Sequence, residues 1–298
     1  MWLLLAFCSA ALLGLYDVAK KQALKDNAVP TVLLLNTLFS SVIFLPVVVS
    51  SLAGFNWFEG SIFCVEPLTA RGHLLIITKS AIVLGSWVFG YLGIKHLPLT
   101  LVGPINATRP VVVLLGAMCI FGERLNTLQW IGVTLAIVSI FLLSRAGKKE
   151  GINFAHNRWI WCVAAAALLG AASGLYDRYI MREIEPVAVQ SYYNLYQLVM
   201  MSIAVVVLRF SHPSATPFRW SWAIPMISIL LSAADLAYFC SLSQSESMIS
   251  VVSMIRRGSV VVSFACGAML FREKNLRSKA LDLLFILVGM IFLWLGSR

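Results

Sequence analysis

Ten stretches of mostly apolar residues follow one another along this chain, and a helix needs about 20 such residues to cross the hydrocarbon core of a bilayer. They run from Trp2 to Gln22, Thr31 to Leu52, His73 to Lys95, Thr100 to Gly122 and Thr127 to Ser144, then from Trp159 to Met181, Val187 to Arg209, Trp220 to Ser243, Ser247 to Phe271 and Ala280 to Leu295. The chain is 60% hydrophobic and only 12% charged, with mean hydropathy +0.87. A soluble domain carries roughly 25% charged residues, because its core must be covered by polar surface. The chain is therefore expected to be an all-α integral membrane protein. Residues 1–16 are apolar, but no basic segment precedes them and no small-residue cleavage pattern follows, so a cleavable leader is not expected.

The net charge of +10 does not point to nucleic acid. Most lysines and arginines flank the apolar stretches instead of forming a stripe on a polar domain, and positive flanks orient membrane segments. The expected partners are the lipid bilayer and a small molecule, with no nucleic acid. Of the six cysteines, only Cys64 lies outside the apolar runs, and no CxxC pair occurs, so neither a disulfide framework nor a zinc site is supported. Walker A, GxGxxG, HExxH and GxSxG patterns are absent. No catalytic residue, metal or cofactor is expected.

Two connections are long. Ala53 to Gly72 holds Trp57 and Phe58 and reads as an interfacial loop; Ala146 to Arg158 is polar and basic. The second divides the chain into residues 1–146 and 159–298, with 147–158 as the basic connection. The two parts echo each other. Leu13-Gly14-Leu15-Tyr16-Asp17 is matched by Ser173-Gly174-Leu175-Tyr176-Asp177; each is followed by a proline, Pro30 or Pro186, and then by Asn36 or Asn194. Phe121-Gly122-Glu123 is matched by Phe271-Arg272-Glu273. Five is odd, so the second copy enters the membrane from the opposite side. The expectation is ten transmembrane helices in two inverted five-helix repeats, an arrangement that places a shared site near the midplane.

Ten spans in two repeats, with Pro110 preceding Gly122-Glu123 at the end of the fourth stretch, resemble the EamA group of the drug/metabolite transporter superfamily. The second half departs from that pattern, with Arg272-Glu273 at the equivalent place and Val260 where a second proline would stand. The resemblance implies a polytopic carrier of small organic solutes, often an exporter, that works without ATP hydrolysis in the cell (inner) membrane. It also implies cytoplasmic termini, whereas the lysine and arginine count favours cytoplasmic loops after helices 1, 3, 5, 7 and 9. It names no substrate.

Charge inside a bilayer is costly and usually faces a wet cavity or a partner. Lys79, Arg109, Arg256 and Arg257 fall well inside spans, as do Asp17, Asp177 and Asp235. Arg109 and Arg257 are the expected substrate contacts, poised for a carboxylate or phosphate, unless Asp235 or another acid pairs with them. Arg256 is the weaker candidate, because adjacent helical residues point about 100° apart. Asn106, Tyr193 and Trp87 are candidate polar and aromatic contacts. Asp17, Asp177 and Asp235 are candidates for coupling or ion pairing; for Asp17 the spacing to Lys20 and Lys21 favours a local pair. Glu123 and Glu273 are expected to serve structurally at helix ends.

The reading is a secondary transporter, with an anion or phosphate-ester exchanger as its rival. An intramembrane enzyme or receptor is disfavoured, since none of the four histidines sits at midspan and no sizeable soluble domain is present.

Overall fold

The computed structural model describes all residues except 1, 55–56, 62, 66, 110, 113–125, 149–151, 153–155, 181–182, 212–217, 243–254, 272–275 and 297–298. Among the described residues there are ten α-helices and no strand. They are α1 (Trp2–Ala23), α2 (Val29–Ala53), α3 (Ala70–His96), α4 (Leu99–Ala107), α5 (Thr127–Lys148), α6 (Arg158–Ile180), α7 (Pro186–Ser211), α8 (Ala223–Leu242), α9 (Ser259–Leu270) and α10 (Leu276–Gly296). The fold is all-α, and α1, α2, α3, α7 and α10 each contain a stretch long and apolar enough to cross a membrane. Shorter apolar windows lie within α5, α6 and α8.

Local sequence sets the helix ends. Pro30 sits in the first turn of α2, where its missing N–H costs nothing. Gly54 closes that helix in the left-handed region at φ 67°, its N–H donating to the Ser50 carbonyl. Thr69 caps α3 by accepting from the Gly72 N–H at 3.2 Å. Asn126 and Gln129 form a reciprocal cap on α5, each side chain accepting from the other's N–H at 2.9 and 3.0 Å. The flanking lysines act at these ends too. Lys21 donates to the Ile94 and Leu97 carbonyls at the end of α3, and Lys95 to the Asn27 carbonyl.

Packing relates the first five helices to the last five. α1 lies on α8 and α9, and α6 on α3 and α4; α2 lies on α7 and α8, and α7 also on α3; α4 meets α9 and α5 meets α10. Exchanging α1–α5 with α6–α10 turns this set of contacts into itself. Two apolar clusters form the interior, one around Tyr16, Tyr91 and Leu101, the other around Ile76, Tyr192 and Tyr193, and Trp87 packs against both.

Lipid tails are as apolar as leucine, so helices here associate through close contact more than through a hydrophobic drive. The α5–α10 crossing shows this. A Cβ on Gly132 would lie 2.7 Å from the Gly289 carbonyl oxygen, and one on Gly289 would lie 3.0 Å from that of Gly132. The obstructing atoms are backbone and cannot turn aside. Gly132→Ala is expected to lower stability by about 1–3 kcal/mol, read as an earlier thermal transition of the detergent-solubilised protein.

The fourth and ninth stretches depart from the continuous helices that their length suggests. α4 stops at Ala107; Thr108 turns back with its N–H and hydroxyl both donating to the Ile105 carbonyl, at 3.2 and 2.7 Å. Pro110, itself outside the described residues, has no N–H and cannot continue an α-helical ladder. In the other half the Gly258 N–H donates to the Ile255 carbonyl at 2.9 Å and the Val261 N–H to the Gly258 carbonyl at 2.9 Å, as Val111 does to Thr108. With Phe121 set beside Phe271, Thr108 and Gly258 are equivalent positions.

Candidate functional site

Arg109 follows directly on the end of α4, where the exposed carbonyls and the negative end of the helix dipole favour a cation. Its Nη2 donates to the Asn106 side-chain oxygen at 3.2 Å, while its buried Nε has no hydrogen-bond partner among the described residues. The guanidinium lies flat against α6 at Gly170, where a Cβ would come within 2.8 Å of Cζ and Nη1. Asp17 and Tyr16 are within electrostatic range of it.

Arg257 stands just before the other break. Gly258 is the residue capping α9, and no side chain caps that end. Arg257 feels Arg109, Arg256 and Tyr238 electrostatically, and among the described residues it has no hydrogen bond or ion pair. Arg256 points elsewhere. It forms an ion pair with Asp235 and stacks over the Tyr238 ring at 4.3 Å; Asp235 also accepts from Gln190 Nε2 at 3.1 Å. The acid that could have neutralised Arg257 is thus held by its neighbour.

Asp17 pairs with Lys20 at 2.8 Å. Lys21 goes to the end of α3, as described above, so one of the two lysines spaced for Asp17 is engaged elsewhere. Lys20 is buried over the rings of Tyr16 and Tyr91, 4.2 and 5.1 Å from their centroids, and the two tyrosine hydroxyls lie 3.4 Å apart. Tyr193 is buried on α7, near Tyr16 and 5.5 Å from the Lys79 ammonium. Trp87 contributes packing between the clusters. The structure thus gathers Arg109, Asn106, Arg257, Asp17 and Tyr16 around one centre, with Tyr193 and Trp87 at its flank. The side chain of Asp177, as well as Glu123 and Glu273, lie outside the described residues.

Beside this centre runs a polar seam between α2 and α7. Asn36, Asn194 and Gln197 are fully buried, and the amide nitrogens of all three lack partners among the described residues. Sequence reasoning missed Lys279 and Asp282, both buried on α10. The signal was present, since Asp282 falls just inside the tenth stretch.

Residues 1–145 match the EamA-like transporter family. The first half of this chain is EamA-like. No curated protein matches the chain. A solved crystal structure aligns with 97% of this chain and 94% of its own at TM-score 0.62 and 16% identity. That likeness shows the fold alone, and it takes in the second half, which lies beyond the EamA-like match. The matched family is one of transporters, which supports a membrane transporter of the drug/metabolite type in general. Such a family implies a small-molecule substrate and a membrane environment.

Proposed function

We propose that this protein is a secondary transporter that carries a small organic anion, a carboxylate or a phosphate ester, through the bilayer by alternating access. In this reading Arg109 and Arg257 receive the anionic group. One observation supports it: among the described residues Asp17 pairs with Lys20 and Asp235 with Arg256, and Arg109 and Arg257 form no ion pair there. Two like charges in a medium of low dielectric repel strongly, and an anion placed between them relieves both. Guanidinium forks suit carboxylate and phosphate oxygens, and the N-terminal end of α9 beside Arg257 adds free N–H groups of the same preference. Asn106, Tyr193 and Trp87 would contact the remainder of the solute. Residues 1–146 and 159–298 would rock against each other about the α5–α10 contact that joins them.

The test is a thermal-shift screen of the purified protein with organic acids, sugar phosphates, amino acids, neutral sugars and cationic dyes. A bound solute at a hundred times its Kd adds about 2.7 kcal/mol of apparent stability. Stabilisation confined to anions is expected; stabilisation by cationic or neutral solutes alone overturns the reading.

A further inference from the structure

Three carboxamides, Gln190, Asn194 and Gln197, recur on α7 at the spacing i, i+4, i+7, which sets them along one face of the helix over about 10 Å. Gln190 shows where that face looks. Its Nε2 donates to Asp235 of α8 at 3.1 Å, and Asp235 in turn holds Arg256, the neighbour of Arg257. Ser228, two turns before Asp235 on the same face of α8, donates to both the backbone carbonyl and the side-chain oxygen of Asn36 on α2, at 3.0 and 2.9 Å. Polar side chains of α2, α7 and α8 thus border one interior strip that starts at the Asp235–Arg256 pair.

Several atoms of this strip are spare. Asn36 Nδ2, Asn194 Nδ2, both amide atoms of Gln197 and Ser40 Oγ have no hydrogen-bond partner among the described residues, and the four side chains are at most 2% exposed. Helix association does not use them. The crossing of α2 with α7 is joined by the Ser41 hydroxyl, which donates to the Asn194 backbone carbonyl at 3.0 Å, and that of α2 with α8 by Ser228. A polar group buried without a partner is costly, and lipid cannot supply one. The spare atoms call for an occupant.

Their chemistry selects its class. Three amide nitrogens donate, the Gln197 Oε1 accepts, and the Ser40 hydroxyl does both. A second carboxylate would satisfy the donors alone; an ammonium would satisfy the acceptors alone and be repelled by Arg109 and Arg257. A hydroxyl donates and accepts at one atom and fits the whole set. We infer that this carboxamide strip binds the uncharged part of the transported solute, and that the solute is an anion bearing several hydroxyl groups. The inference rests on the transport reading above, in which the arginines take the anionic end.

The test uses matched probes in thermal-shift titrations of the full chain. Gluconate and hexanoate share one carbon skeleton and one carboxylate and differ only in hydroxyls; glycerol phosphate and propyl phosphate form a second such pair. The hydroxylated member of a pair is expected to bind about tenfold more tightly or better, because a site built to hydrogen-bond a hydroxyl rejects the analogue that lacks it. Asn194→Leu and Gln197→Met, measured separately so that either suffices, keep side-chain size and are expected to lower gluconate affinity toward that of hexanoate. With no partner to lose, both ligand-free variants should unfold no earlier than the wild type. Absence of a preference in both pairs, or a preference that survives both substitutions, overturns the inference and leaves the strip to ordered water or packing; anion binding by all four probes alike would still uphold the arginine reading. Sorbitol, which has the hydroxyls and no charge, covers the reverse case. Saturable stabilisation by sorbitol that is lost in Gln197→Met, with gluconate no better than sorbitol, would keep the carboxamide site and remove the arginine reading.

Discussion

Arg257→Ala is expected to weaken binding of an anionic solute by roughly ten- to a hundredfold, since a hydrogen bond to a charged group contributes about 1.5–3 kcal/mol. Arg109→Ala is expected to act likewise. Neither should cost the ligand-free protein much stability, because each removal also relieves repulsion between two neighbouring cations. Arg257→Lys keeps the charge but loses the planar fork and should fall between wild type and alanine. Gly170→Ala probes the same contact from the opposite wall: its new methyl would occupy the space of the Arg109 guanidinium, displacing the charge without removing it. Solute titrations followed by thermal shift measure all four variants. Variants that bind the anion as the wild type does, yet unfold earlier, would assign both arginines to helix packing.

The second large effect concerns stability instead of binding. Arg256→Ala leaves Asp235 buried among α7 and α8 with Gln190 as its remaining side-chain partner among the described residues. Removing one member of a buried ion pair typically costs about 3–5 kcal/mol, because the other charge stays behind without compensation. The double variant Arg256→Met with Asp235→Leu removes both charges and is expected to recover most of that loss. Thermal unfolding of Arg256→Met, Asp235→Leu, the double variant and the wild type forms a cycle that isolates the pair. Costs that simply add would show that the two side chains do not support each other.

Much of the fold is legible in the amino-acid sequence, because a bilayer dictates the length and polarity of what crosses it, and because Pro30, Gly54, Thr69 and Asn126 mark helix ends by their own chemistry. The breaks are less so. Pro110 announces the first, which falls at Thr108, but Val260 at the corresponding place suggests an unbroken ninth helix, and the equivalent turn at Gly258 has no proline to mark it. A glycine within an apolar run is an ambiguous mark: it allows a turn and equally allows close packing, as Gly132 does. The candidate centre is visible because charge is rare within spans, and the divergence of Arg256 from Arg257 follows from helical geometry alone. Which acid each cation meets depends on α8 crossing α1 and α2, and no local pattern carries that. Lys279 and Asp282 sit so near the start of their stretch that they read as interfacial, where long side chains reach outward to water. Only the approach of α4 and α5 turns them inward.

The glycine crossing of α5 and α10 has a practical consequence. Two backbones in direct contact, closed at one end by the Asn126 side chain on the Gly296 carbonyl, leave no slack for sliding, so this pair can serve as a fixed internal ruler. Trp130 and Leu284 project outward from it, and spin labels or fluorophores attached there provide a stationary origin. Distances measured from that origin to the other helices then report displacements relative to it, so a single-molecule trace can say which helices move.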